Sequence, residues 1–249
     1  MWGFAPALTR LGRDMGFVPL VITSCVVLYI ASWLVSPPRG GGPMQFLAPS
    51  GEGLFVFGGS GRMPVVQWGR WWTLLTASWL HANLIHILVN MMSVRNVAPI
   101  VAEFYGASRM IIIYVLSGVA GFGASTLFGT FLPPIPYLSG SGFTVGASAS
   151  IAGLIGAVFY YGHRTGSGAI SDQAKIWIFM FLAMGAFFDR IDNVAHLGGL
   201  AGGYLCSKFL DPLYPERLDH FVIALGSLAL TAIAIVVSVI HGYWLLANY

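Results

Sequence analysis

Ser148 stands in VGASASIAGLIGA (145–157), just after a serine- and glycine-rich stretch, SGSGFT. A serine in the first turn of a helix sits among backbone N–H groups without intrahelical partners, at the positive end of the dipole, and those donors can receive an oxyanion. His196 stands in NVAHLGGLAGGYL (193–205) and is followed by Gly198, Gly199, Gly202 and Gly203. Their small-xxx-small spacing lets backbones approach closely in lipid. If the helix opposite carries Gly146, Gly153 and Gly156, His196 comes within hydrogen-bond reach of Ser148. A serine beside a base is an activated nucleophile, and with no carboxylate in the apolar runs the pair would work as a dyad. A third polar group lies in HANLIHILVN (81–90). His86 and Asn90 are four apart and share a helical face, whereas His81 is expected about 140° away on the same helix. Ser150, the competitor of Ser148, points about 200° away from it. Taken singly, each such group is also explained by a hydrogen bond to a neighbouring helix, worth about 0.6–2 kcal/mol in membranes. His81 and His241 keep that reading.

The elements that must position these residues are membrane spans. The 249 residues are 57% apolar and 8% charged, with a mean hydropathy of +0.78; soluble domains carry about 25% charged residues. The chain is therefore read as an all-α polytopic membrane protein. With roughly 20 apolar residues needed per span, seven spans are expected: 17–36, 71–94, 107–130, 146–162, 174–188, 193–210 and 221–246. The fifth and sixth are short and joined by DRID (189–192), as in a helical hairpin with a tight polar turn. Residues 1–16 form a cytoplasmic segment, and the first span, which lacks a small-residue cleavage pattern, is a retained helix rather than a signal peptide.

With the N-terminus inside, Arg10, Arg13, Arg95, Arg109, Arg164, Lys175, Lys208 and Arg217 fall inside, and Arg39, Arg62, Arg70 and Arg190 outside. This is the positive-inside bias, and it puts the C-terminus outside. The first outer loop, 37–70, contains PPRGGGP, GGSGR and also LFVF. Two readings stay open for it: a flexible linker, or a folded structure lying partly in the outer leaflet.

Composition and placement exclude several functions. The net charge of +3 is spread without cluster or stripe, so no nucleic-acid partner is expected. Cys25 and Cys206 lack metal-ligand spacing and read as packing residues; no metal or cofactor is expected. All nine carboxylates lie outside or at the edges of the spans. That argues against ion-coupled transporters, which keep an acid at midplane, and against aspartyl and HExxH intramembrane proteases. The absence of an internal repeat also weakens a transporter reading.

HANLIHILVNM, GASASIAGLIGA and AHLGGLAGG, in this order and on alternate spans, closely resemble the three signature segments of the rhomboid intramembrane serine proteases, over roughly 68–210. The resemblance implies a rhomboid-like six-helix core, 17–210, with a water-accessible cavity opening to the outside, and a seventh C-terminal transmembrane helix, 221–246. By position it makes Ser148 the nucleophile and His196 the general base. His86, Asn90 and the Ser148 N–H become the oxyanion stabilisers, and His81 a structural residue. The chain departs from the family pattern at Ala149, where glycine is common, and at Ala152, where an aromatic often packs beneath the histidine, so that His196 must be positioned some other way. The family's Trp-Arg pair falls on Trp72 and Thr73, so the Arg that anchors the first loop is missing unless Arg70 substitutes for it.

The function expected is hydrolysis of peptide bonds in or near transmembrane segments of other membrane proteins, within the lipid bilayer; Phe187 and Phe188 on the fifth span read either as an interfacial anchoring belt or as a lateral gate for a substrate helix. Short loops and the lack of an organellar presequence suggest a bacterial cytoplasmic membrane. The alternatives are a rhomboid-like protein that binds transmembrane helices without cutting them, and, more remotely, a channel. Oligomeric state is not readable from the sequence.

Overall fold

The computed structural model describes residues 14–37, 47–133, 135, 138–187 and 191–248 and, of 186 and 187, the backbone alone. Among these residues the chain forms long helices α1 (Phe17–Val35), α4 (Leu84–Tyr105), α5 (Ala107–Phe131), α6 (Ser148–Thr165), α7 (Gly168–Phe187), α8 (Asn193–Phe209) and α9 (Leu218–Asn248). Two short helices, α2 (Gly51–Phe57) and α3 (Thr73–Thr76), lie between α1 and α4. By length and apolar content, α1, α4, α5 and α9 each suffice to cross a membrane. The other three are shorter or carry the chain's glycines, serines and charges: α8 has 17 residues, and α7 opens with Asp172 and Lys175. The protein is a multi-pass, all-α membrane protein.

Helix α8 packs against α5 and α6, and the glycine stripe makes that packing close. A Cβ on Gly199 would lie 2.1 Å from the Ala149 carbonyl oxygen, and one on Gly203 would lie 2.0 Å from that of Gly153. On the adjoining face, Cβ atoms on Gly198 and Gly202 would press on Ala124 and Ala120 of α5. One pair of glycines thus seats α8 on α6 and the other seats it on α5. Helix α6 also contacts α4 and α7, whereas α7 rests chiefly on α6 and touches α8 more lightly. Helix α9 packs on α5 and on the two short helices α2 and α3.

At one end of the bundle the start of α5 and the ends of α6 and α8 are tied together. The Arg109 guanidinium donates to the Asp211 and Tyr214 carbonyls at 2.7 and 2.9 Å, and Arg164 pairs with Asp211 at 2.9 Å. At the other end Ser60 and Thr144 exchange backbone hydrogen bonds, and the Ser141 N–H donates to Ser125 Oγ.

The second span differs from the expected 71–94. The chain breaks at a 3₁₀ turn, Ala77–Trp79, becomes extended at Leu80, and restarts as α4, where the Asn83 side chain accepts the His86 N–H at 2.8 Å. A hydropathy profile runs straight through this Asn cap, which is why the span was expected 13 residues too early. His81 is consequently not on the helix of His86 at all, and the 140° argument does not apply to it. The fifth span is also longer than expected, beginning at Gly168.

The first loop is folded over its described part. Arg70 is completely buried, donating to the carbonyls of Phe55 (2.7 Å), Val56 (3.4 Å) and Ser238 (2.8 Å), with its guanidinium 4.3 Å from the Phe55 ring centroid. Trp72 Nε1 donates to Ser238 Oγ at 3.1 Å. Arg70 thus anchors the loop, and its far attachment point is α9. The segment PPRGGGP lies almost wholly outside the described residues, as do Asp189 and Arg190 of the turn before α8.

Candidate active site

His86 lies in the first turn of α4. The Ala82 N–H donates to its Nδ1 at 3.4 Å, so in the neutral ring the proton resides on Nε2. That nitrogen points at Gly146: a Cβ there would lie 2.6 Å from His86 Nε2 and 3.5 Å from Ser148 Oγ. Gly146 has φ of 137°, a backbone conformation open to glycine and strained for other residues. An imidazole donor and a serine hydroxyl therefore border one small space that only a missing side chain keeps open. Asn90, one turn further on, is buried and donates from Nδ2 to the His86 carbonyl at 2.8 Å.

Ser148 is the first residue of α6, where the backbone N–H has no intrahelical acceptor, and it is only partly buried. The approach to it is held by His81, whose Nε2 accepts the Ala147 N–H at 3.4 Å and whose ring lies edge-on to His86 with centroids 5.1 Å apart. His81 thereby links the turn before α4 to the turn before α6, the structural part expected of it. Ser150 pairs with Ser78 through buried hydroxyls 3.0 Å apart and is occupied in packing.

His196 lies in the first turn of α8, which Asp192 caps by accepting the Ala195 N–H at 2.9 Å. The Asp192 carboxylate also accepts from Ser125, which ties the cap to α5. His196 is 4% exposed, and its Nδ1 is buried without a hydrogen-bond partner. The Phe181 ring of α7 packs on it at 4.9 Å between centroids. The chain neighbours of Ser148 and His196 converge on one point of α5: a Cβ on Gly121 would meet the Ala195 carbonyl oxygen at 2.5 Å and Ala149 Cβ at 2.8 Å. A direct Ser148–His196 hydrogen bond is not among those formed by the described residues; such contacts often tighten only when substrate is bound.

The expected site residues thus gather at one end of α4, α6 and α8, whereas His241 of α9 stacks on Trp244 and lies edge-on to Trp72, as a packing residue would. Phe181 was missed because nothing in an apolar helix marks which of its aromatics will face a histidine. The belt or gate expected at Phe187 and Phe188 falls on side chains outside the described residues.

Comparison with known proteins gives the same picture at the level of ancestry. Residues 68–212 match the Rhomboid domain family model. The chain is 32% identical over 162 residues to the rhomboid protease GluP of Bacillus subtilis, covering 64% of this chain and 30% of that protein. It is 34% identical over 197 residues to RHOMBOID-like protein 6, mitochondrial, of Arabidopsis thaliana, covering 77% and 59%. With the putative rhomboid protease YdcA of Bacillus subtilis it shares 33% identity over 144 residues, 56% of this chain and 67% of that one. The chain therefore spans less than two thirds of the first two relatives. The matched stretch contains α4, α6 and α8 with the polar residues that face one another across them, and on that ground the chain belongs to the rhomboid family.

Proposed function

We propose that the protein is an intramembrane serine endopeptidase that hydrolyses peptide bonds in or near the transmembrane segments of other membrane proteins. The observation that carries this reading is the shared space at Gly146, bordered by a donor nitrogen of His86 and the hydroxyl of Ser148. In this reading Ser148 Oγ attacks the scissile carbonyl while His196 takes its proton. The tetrahedral oxyanion receives hydrogen bonds from His86 Nε2, the Ser148 N–H and, once its amide turns from the His86 carbonyl, Asn90. His196 then returns the proton to the leaving amine, and water hydrolyses the acyl-enzyme by the same route. A substrate helix must unwind before its carbonyls are reachable, so segments with small or helix-breaking residues near the serine end are the substrate class.

The domain organisation that goes with this function is the core of 17–210 with 221–246 as an added helix. The excess of Arg and Lys on the inner side supports a cytoplasmic N-terminus, with the site in the outer half of a bacterial inner membrane, although Arg95 lies within α4 rather than in an inner loop. Names of relatives such as GluP and YdcA, both called rhomboid proteases, support the enzymatic reading. The competing reading, a helix-binding rhomboid-like protein without activity, draws on the unpartnered His196 Nδ1.

The test is labelling of detergent-purified protein with a fluorophosphonate probe. Labelling is expected in wild type, and Ser148→Ala and His196→Ala should each lower it at least about a thousandfold. Labelling that survives in Ser148→Ala, or none in folded wild type, would move the assignment to the inactive helix binder.

A further inference from the structure

A general base needs its ring held in one orientation, and a third group hydrogen-bonded to the far nitrogen usually does this. His196 has no such group: its Nδ1 is buried without a partner. What bears on the ring instead is an aromatic face, since Phe181 lies at 4.9 Å between centroids and 59° between planes. On the side of His196 towards α6 the residue is Ala152, and Ala152, Phe181 and His196 line a common cavity of about 10 Å³. The remaining lining residues, Ile155, Ile178, Leu182 and Leu200, are all apolar. No polar side chain of this lining steadies the imidazole from this direction.

Phe181 belongs to a helix that rests chiefly on α6 and leaves its other side exposed. Its near neighbours Ile176, Phe179 and Met180 are exposed on the lipid side, Phe179 at 73%. One turn on from Phe181, Gly185 meets α8 closely, its absent Cβ being 2.0 Å from Asn193 Oδ1. Phe181 and Gly185 are i and i+4 on one face, and His196 and Asn193 are i+3 and i on the other, so α7 docks on the histidine's own first turn through these two contacts.

Resting on the protease reading, we infer that Phe181 is the positioning residue for His196, and that α7 must be docked on α8 for the base to be aligned. Phe181 touches no reacting atom; it limits rotation of the ring about its χ angles. Whatever moves α7 outward also frees the imidazole, so access to the site and competence of the base are linked through one side chain.

The experiment uses the full chain in detergent and the fluorophosphonate probe, with the maximal labelling rate, kinact, read separately from the half-saturating concentration, KI. Phe181→Ala is expected to lower kinact about 10- to 100-fold, the scale of a misplaced catalytic group, while KI changes less than about twofold. Adding Ala152→Phe should restore kinact to within about threefold, because the new ring enters the space vacated by the old one and faces the same imidazole. If Phe181→Ala does not fold, Phe181→Leu keeps the apolar volume without the ring plane, and a fall in its kinact decides the matter. A kinact unchanged in these variants, or lowered and not restored by Ala152→Phe, overturns the assignment and leaves the protease reading intact. Absence of Ser148-dependent labelling in folded wild type overturns that reading, and the assignment with it.

Discussion

Gly146 does at the scale of a residue what no side chain could. Its φ of 137° turns the chain into α6, and the missing Cβ leaves the space where His86 Nε2 and Ser148 Oγ meet. Gly146→Ala should place a methyl about 2.6 Å from the imidazole and impose an unfavourable backbone conformation of about 1–3 kcal/mol. The expected result is loss of serine-probe labelling with only a modest fall in melting temperature, measured side by side. Much of this site was legible from residue type alone. Histidine, asparagine and serine are costly in hydrocarbon, so their presence in apolar runs already marked His86, Asn90, Ser148 and His196. Phe181 was illegible for the converse reason, because an aromatic in an apolar helix costs nothing and signals nothing. Ala152 did carry a hint, as the small residue where something larger was expected.

At the scale of elements, the glycines of α8 divide their work between two neighbours. Gly199 and Gly203 lie three and seven residues after His196, on its face of the helix, and admit the α6 backbone at Ala149 and Gly153. The distance between His196 and Ser148 is therefore set by what those glycines lack. Gly199→Ala would put a methyl 2.1 Å from a backbone oxygen, which cannot yield as a side chain could. Overpacking of this kind costs about 1–3 kcal/mol, and the helices must part beside Ser148. Labelling should fall by more than the accompanying loss of thermal stability explains; an unchanged labelling rate would show that the α6–α8 spacing is not what aligns the site. This contact was legible, since the small-xxx-small spacing is a property of sequence. The start of α4 was not. Hydropathy cannot see a cap, and WLHANLIH is apolar enough on both sides of Asn83 to hide one.

At the scale of the molecule, the first loop and the last helix form a single unit. The terminal nitrogens of Arg70 donate to two carbonyls of α2 and one of α9, while its Nε is buried without a partner, and Gly242 lets α9 approach the Val56 backbone, a Cβ there lying 2.7 Å from Val56 Cα. Arg70→Ala removes these charge-assisted hydrogen bonds, although the Phe55 carbonyl keeps the Gly58 N–H, a loss of about 1.5–3 kcal/mol. The melting temperature in detergent should drop sharply, and Arg70→Lys should recover only part of it because an ammonium cannot span the three acceptors. Sequence alone left the loop open between linker and folded structure. The deciding contact joins residues 168 apart in the chain, beyond the reach of any local pattern.

That long span of chain also bears on how the protein is made. Helices α1 to α8 leave the ribosome before Ser238 does, so throughout their synthesis Arg70 has only part of its acceptor set. The loop reaches its final form when the last helix inserts. Since residues of this loop lead directly into Ala77 and His81, which hold the turn before Ser148 through the Gly146 and Ala147 N–H groups, a chain interrupted before α9 carries every residue of the site without the clasp that steadies it. Steadying of the site therefore waits on the insertion of α9.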